Sequence, residues 1–207
     1  YKRQMERLSI AFTNYIIHKK VISEENYEAY QYGFLTFFEL VLNLICSIFI
    51  AVLLHMELEC LLFFLFFIPL RSFNGGLHLK SYYSCLFFSC MTMTFILLIV
   101  KFFHVSTHVS FCLYVILLLF IKFTGAVNHP NRPVTEEENI TFNQKTNLTL
   151  LFSLLFAFYF LIFHLDKYLL LEMLIFLLVF CTLVISKWKR AEEKICLLYT
   201  SDAADEL

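Results

Sequence analysis

The chain reads as an all-α, polytopic membrane helix bundle with about six transmembrane segments, and three observations predict it. Hydrophobic residues fill 60% of 207 positions, with 26 Phe against only 4 Gly and 3 Pro. An average soluble domain is about 45–50% apolar, so too little polar surface remains to cover this chain in water. The apolar residues come in long runs, and a run of about 20 residues crosses a bilayer as a helix. Charge is also distributed unevenly along the chain. With the N-terminus in the cytoplasm and six crossings, every Lys and Arg except Lys101 and Lys167 falls on the inner side, as the positive-inside rule expects.

The first element spans Glu6–His18, where Leu8, Phe12, Tyr15 and Ile16 recur at helical spacing among Lys2, Arg3, Arg7, Lys19 and Lys20. Two readings stand for this amphipathic N-terminal helix. It lies on the cytoplasmic membrane surface, or it packs its apolar stripe on the bundle. Ser23-Glu24-Glu25-Asn26 starts the next helix, with Ser23 or Asn26 as cap. Tyr27, Tyr30 and Tyr32 then sit at aromatic-belt depth. The expected spans are Phe34–Leu54, Leu58–Leu70, Tyr83–Phe103, Val109–Ile121, Leu148–Phe163 and Tyr168–Ser186.

Leu58–Leu70 is the weak one, because it is short, includes Glu59 and ends at Pro69. A segment of that length either crosses or re-enters, and re-entry would put the segment after it on the outer side. Lys122–Asn147 is expected as a long polar loop. Asn128-His129-Pro130 and Asn131-Arg132-Pro133 are its turn signals, and Glu136–Glu138 a solvated acidic run. No repeat or Gly/Ser linker interrupts residues 1–195, which read as one domain. The chain starts at Tyr1 rather than Met, so a missing true start is expected. Residues 196–207 turn abruptly to small acidic residues after Lys187-Trp188-Lys189-Arg190 and read as a translated sequencing adaptor.

Of the 7 cysteines, Cys46, Cys60, Cys85, Cys90, Cys112 and Cys181 lie mostly within apolar runs, where cysteine serves as a small hydrophobe. No C-x-x-C pair suggests zinc. No metal, cofactor or nucleic acid is expected.

Chemistry concentrates in Arg71–Cys85, R-S-F-N-G-G-L-H-L-K-S-Y-Y-S-C, where one apolar stretch breaks and another begins. On one continuous helix His78 and Cys85 would stand about 10 Å apart along the axis. A general base must come within about 3 Å of its proton. The two therefore work together only if the helix begins after His78, with Gly75-Gly76 supplying the bend. Ser81 as N-cap would place Cys85 fourth in the new helix, where the partial positive charge of a helix N-terminus favours a thiolate.

Arg71 and Lys80 add positive potential. Backbone N–H groups from Gly75 and Gly76 to His78 are candidate oxyanion donors, and Asn74 is a candidate to orient the imidazole. Composition alone favours a plainer reading, an interfacial histidine and a packing cysteine. His18, His55, His104, His108 and His164 also lie near span ends, where an amphipathic ring commonly sits. Glu39 differs, because a carboxylate inside an apolar span faces the bundle interior or a cavity. It is a substrate contact or a polar tie to Asn43.

At this motif the chain resembles the accessory gene regulator B (AgrB) family of Gram-positive membrane peptidases. The family pattern is an Arg, then Gly-Gly-x-His, then a Cys seven residues after the His. It stands here as Arg71, Gly75-Gly76-Leu77-His78 and Cys85, with no departure. The Tyr27-x-x-Tyr30-x-Tyr32-Gly33 entry to the first span and the Asn-His-Pro-Asn-Arg-Pro loop are also similar, and the resemblance covers roughly residues 1–190.

It implies a cell-membrane cysteine endopeptidase that processes a short precursor peptide into a cyclic quorum-sensing autoinducer, a thiolactone or a lactone. Cys85 would be the nucleophile and His78 its general base. The N-terminus and catalytic loop would be cytoplasmic. The partners implied are the bilayer and a precursor that docks by an amphipathic helix on the inner leaflet, with a homodimer among the expected assemblies. Two alternatives are weighed against it. A peptide exporter calls for Gly-broken, paired spans and charges along a path, whereas this sequence has few intramembrane charges and no repeat. A non-catalytic membrane scaffold requires His78 and Cys85 to be separated by packed hydrocarbon.

Overall fold

In a computed structural model the described residues are 2–19, 27–74, 82–125 and 136–205. They form seven α-helices: α1 Lys2–His18, α2 Tyr27–Leu54, α3 Glu57–Asn74, α4 Tyr82–Phe102, α5 Thr107–Thr124, α6 Glu136–Ile162 and α7 Asp166–Asp205. Five segments are long and apolar enough to cross a membrane by length and composition: Gly33–Leu54, Ser84–Phe102, Thr107–Thr124, Ile140–Ile162 and Asp166–Lys189. The chain is a polytopic helical membrane protein.

Two expected boundaries move. The loop expected over Lys122–Asn147 is trimmed from both sides, because α5 runs to Thr124 and α6 begins at Glu136. Gly125, at φ 67°, ends α5 while its N–H still donates to the Ile121 carbonyl. A left-handed residue of this kind stops a helix, and glycine adopts it without strain. Glu136–Glu138, expected within the loop, are helical residues of α6. The second shift is in α3, which continues through Pro69 to Asn74. A proline costs a helix one hydrogen bond, and membrane helices tolerate that where neighbours cover the freed backbone.

Two reverse turns share one device. At the end of α2, His55 N–H donates to the Val52 carbonyl and Met56 N–H to that of Ala51. At the end of α6, His164 N–H donates to Leu161 and Leu165 N–H to Phe160. Both are Schellman closures. Each histidine takes the left-handed position, at φ 54° and 52°, which histidine tolerates better than most side chains.

The helices group into two compact units. The first holds α1, α2 and α4 up to Phe95. Here α1 packs on α2 through Ser9 and Thr13, both fully buried, and through Phe12, whose ring lies 6.0 Å from Phe34 and 5.4 Å from Phe38. On the facing stretch of α4, Ser89 accepts a 3.0 Å hydrogen bond from Asn43 Nδ2. Small residues that let backbones approach, plus a few interhelical hydrogen bonds, are how helices associate in a membrane.

The second unit holds α3 from Leu58, the end of α4, and α5 to α7. Its axis is α7, where Leu169, Leu170 and Leu171 are all buried. Three successive buried positions cover all sides of a helix. α5 runs parallel to α7: Thr107 hydrogen-bonds Asp166 at one end, the Tyr114 and Phe176 rings lie 4.8 Å apart, and Lys187 caps the Thr124 carbonyl at the other end.

α3 runs the same way as α7, beginning at the 2.5 Å Glu59–Lys167 ion pair. It then lies antiparallel to α6, with Phe66 on Phe156 and Asn74 bonded to Thr146. This is a course through the depth of the unit, and a re-entrant segment, which turns back, does not follow it. Glu57, Glu59 and Arg71 keep α3 less apolar than the five spans.

Candidate functional site

Asn74 lies at the end of α3 as described, and Cys85 lies on α4 (Tyr82–Phe102); the expected cap Ser81 lies outside the described residues. The Cys85 side chain is partly exposed. An apolar groove of about 620 Å³ in the first unit is lined by Cys46, Ser84, Leu86, Phe87 and Cys90, and Cys85 is not part of its lining. Asn43 pins the wall behind it, donating to Ser89 and accepting from the Cys90 thiol at 3.7 Å. Asn43 is thus turned to α4 rather than to Glu39, which lies half-buried near the start of the α2 span.

The second unit positions the residues that precede the motif. Arg71 lies on the last turn of α3 with its guanidinium 5.8 Å from the Phe67 ring centre. Phe73 stacks on Phe142 at 6.5 Å, and the Lys145 ammonium lies 5.5 Å over the same Phe73 ring. Asn74 is buried, and its Oδ1 accepts a 3.1 Å hydrogen bond from Thr146 Oγ1. That bond fixes which way the amide points. The free end is Nδ2, which has no partner among the described residues. An unpaired buried donor costs about 1–3 kcal/mol, so an acceptor that reaches Nδ2 gains most of that back. With Oδ1 engaged, Asn74 offers a donor, which suits an oxyanion better than it suits an imidazole N–H.

Gly75, Gly76, His78 and Lys80 lie outside the described residues, and so does the His78–Cys85 distance. Arg71 and Asn74 lie on the last described turn of α3, and Cys85 lies on α4.

Sequence reasoning missed a second buried polar cluster. Ser153 on α6 donates to Glu172 Oε1 on α7 at 2.6 Å, so the 2.8 Å contact between Tyr114 and Ser153 is made by the tyrosine donating to the serine. All three residues are fully buried, and they tie α5, α6 and α7 together. The argument that singled out Glu39, a carboxylate inside an apolar run, applies equally to Glu172 and would have found it.

A family model described as Accessory gene regulator B matches residues 9–187. No curated protein and no solved structure matches the chain. The matched span takes in every candidate residue from Glu39 to Cys85 and all five apolar spans up to Lys187, so the chain belongs to the accessory gene regulator B family, which works in quorum-sensing peptide processing.

Proposed function

We propose that this protein is a membrane-embedded cysteine endopeptidase and cyclase acting on a quorum-sensing precursor peptide. Cys85 is the nucleophile and His78 its general base. The imidazole takes the thiol proton, and the sulfur attacks a peptide carbonyl at the C-terminal edge of the future signal. A tetrahedral oxyanion forms. As it collapses, the C–N bond breaks and the tail leaves as an amine carrying the proton from His78. The rest of the peptide is then held as a thioester. A cysteine or serine within it attacks that carbonyl, closes a thiolactone or lactone ring and releases Cys85 as the thiol. For the thiolactone this exchanges one thioester for another with little change in free energy. Keeping water out therefore matters more than driving the step, and a bilayer does that.

The observation that carries this reading is the family match across residues 9–187, which takes in Arg71, His78 and Cys85. A helix start at Ser81, as the motif spacing predicts, gives Cys85 free N–H groups and a helix dipole that favour an anion. The distribution of basic residues supports a cytoplasmic N-terminus and catalytic segment, the leaflet where an amphipathic precursor would dock. The test is co-expression of Cys85→Ala or His78→Ala with the precursor, assayed for the shortened peptide. Both variants are expected to leave the precursor whole, and full processing by either one refutes the assignment.

A further inference from the structure

α1 presents three faces. Ser9 and Thr13 are buried against α2, and the Thr13 hydroxyl is turned inward to the Ser9 carbonyl at 2.8 Å. Arg7, Asn14 and His18 form a polar, exposed face about 140° away at 100° per residue. Between them, Leu8, Phe12 and Tyr15 remain 44%, 46% and 62% exposed. They recur at i, i+4 and i+7, the spacing of one continuous apolar stripe. A helix that packed only to cover its large side chains would have turned this stripe onto α2. It packs instead through small hydroxyl residues and one edge of Phe12, and leaves most of the stripe open.

We propose that this stripe docks on the anionic phospholipid of the leaflet bordering the N-terminal end of α2, holding α1 in the plane of the membrane surface. Two observations choose this occupant. Phe12 touches Phe34 and Phe38, which are among the first residues of the Gly33–Leu54 span. α1 is therefore held at the depth where hydrocarbon begins, and the stripe has an acyl–headgroup boundary within reach. Lys19 lies with its ammonium 5.8 Å from the Tyr15 ring centre, an aliphatic stem running along the stripe to a charged tip. With exposed Arg7, and Lys2, Arg3 and Lys20 flanking in sequence, the helix carries bases that anionic headgroups attract and zwitterionic ones do not.

The test uses the full chain in vesicles, with Trp188→Phe removing the one native tryptophan and Tyr15→Trp placing a reporter on the stripe. A companion chain carries Asn14→Trp on the polar face instead. In vesicles of phosphatidylcholine with phosphatidylglycerol, lipids brominated near the headgroup should quench the position-15 reporter about twofold more than the position-14 reporter, since such helices lie 5–10 Å into the boundary. Raising salt, or using phosphatidylcholine alone, should weaken that difference. Equal quenching at the two positions overturns the proposal, as does quenching indifferent to headgroup charge. A position-15 reporter that brominated lipid does not quench with or without the precursor peptide, but that the peptide shields from aqueous iodide, assigns the face to that peptide and also overturns it.

Discussion

Among the described residues, Glu39 and Glu172 each stand inside one of the five apolar spans, and their surroundings differ. Glu172 on α7 is fully buried, with one oxygen held by Ser153 and, through it, by Tyr114. Glu39 on α2 is half-buried, and Asn43, the neighbour one turn away, has turned its amide to α4. The pattern rule that flags an intramembrane acid treats the two alike. The structure divides them by what encloses them. One closes a three-helix junction, while the other remains open to something outside its own unit's hydrogen bonds. The difference teaches that an acid in a membrane span marks a place where polar company is required, and only packing says whether the protein itself supplies that company.

Mutations can break this contrast. Glu172→Ala should have the largest effect on folding, about 2–4 kcal/mol, because it opens a cavity and strands the Ser153 hydroxyl. Thermal unfolding of the full chain in detergent would read it, and Glu172→Gln, which keeps an acceptor for Ser153, should cost much less. Equal losses from the two would mean that the hydrogen bond contributes nothing. Tyr114→Phe removes only the outer link of the chain and should cost about 0.5–1 kcal/mol in the same assay, near the average for an interhelical hydrogen bond in a membrane. Glu39→Gln should leave stability within about 0.5 kcal/mol. If Glu39 meets the precursor, the same change should raise KM for processing about tenfold, the worth of one charged hydrogen bond. A stability loss as large as that of Glu172→Ala, with activity per folded molecule intact, would erase the distinction between the two acids.

How much of this was legible beforehand depended on how local the cause was. That Cys85 lies on a helix was legible from the apolar run that restarts at Tyr83. The spans announced themselves by run length. α3 was undercounted because Pro69 reads as a stop, although its helix runs on to Asn74 against α6. Glu136–Asn147 look like loop in sequence because three successive glutamates and a polar run suit solvent, yet a helix tolerates the same residues. Helix partners were not legible. In a helix apolar all round, a residue facing lipid and one facing another helix carry the same side chains, so Leu169–Leu171 show in sequence no sign that α7 is the axis. Thr146, which turns the Asn74 amide so that its donor end is free, could not be found by any spacing rule, because it lies far along the chain.

The account stands or falls on a covalent bond to one sulfur. Purified protein would be incubated with a precursor whose internal ring-closing cysteine is replaced by alanine, so that the thioester cannot pass on, and its intact mass then measured. The expected result is an adduct equal to the precursor without its tail, borne on the peptide containing Cys85, cleared by hydroxylamine and absent from Cys85→Ala. Release of the tail with no such adduct, or an adduct that survives the Cys85→Ala change, would contradict it.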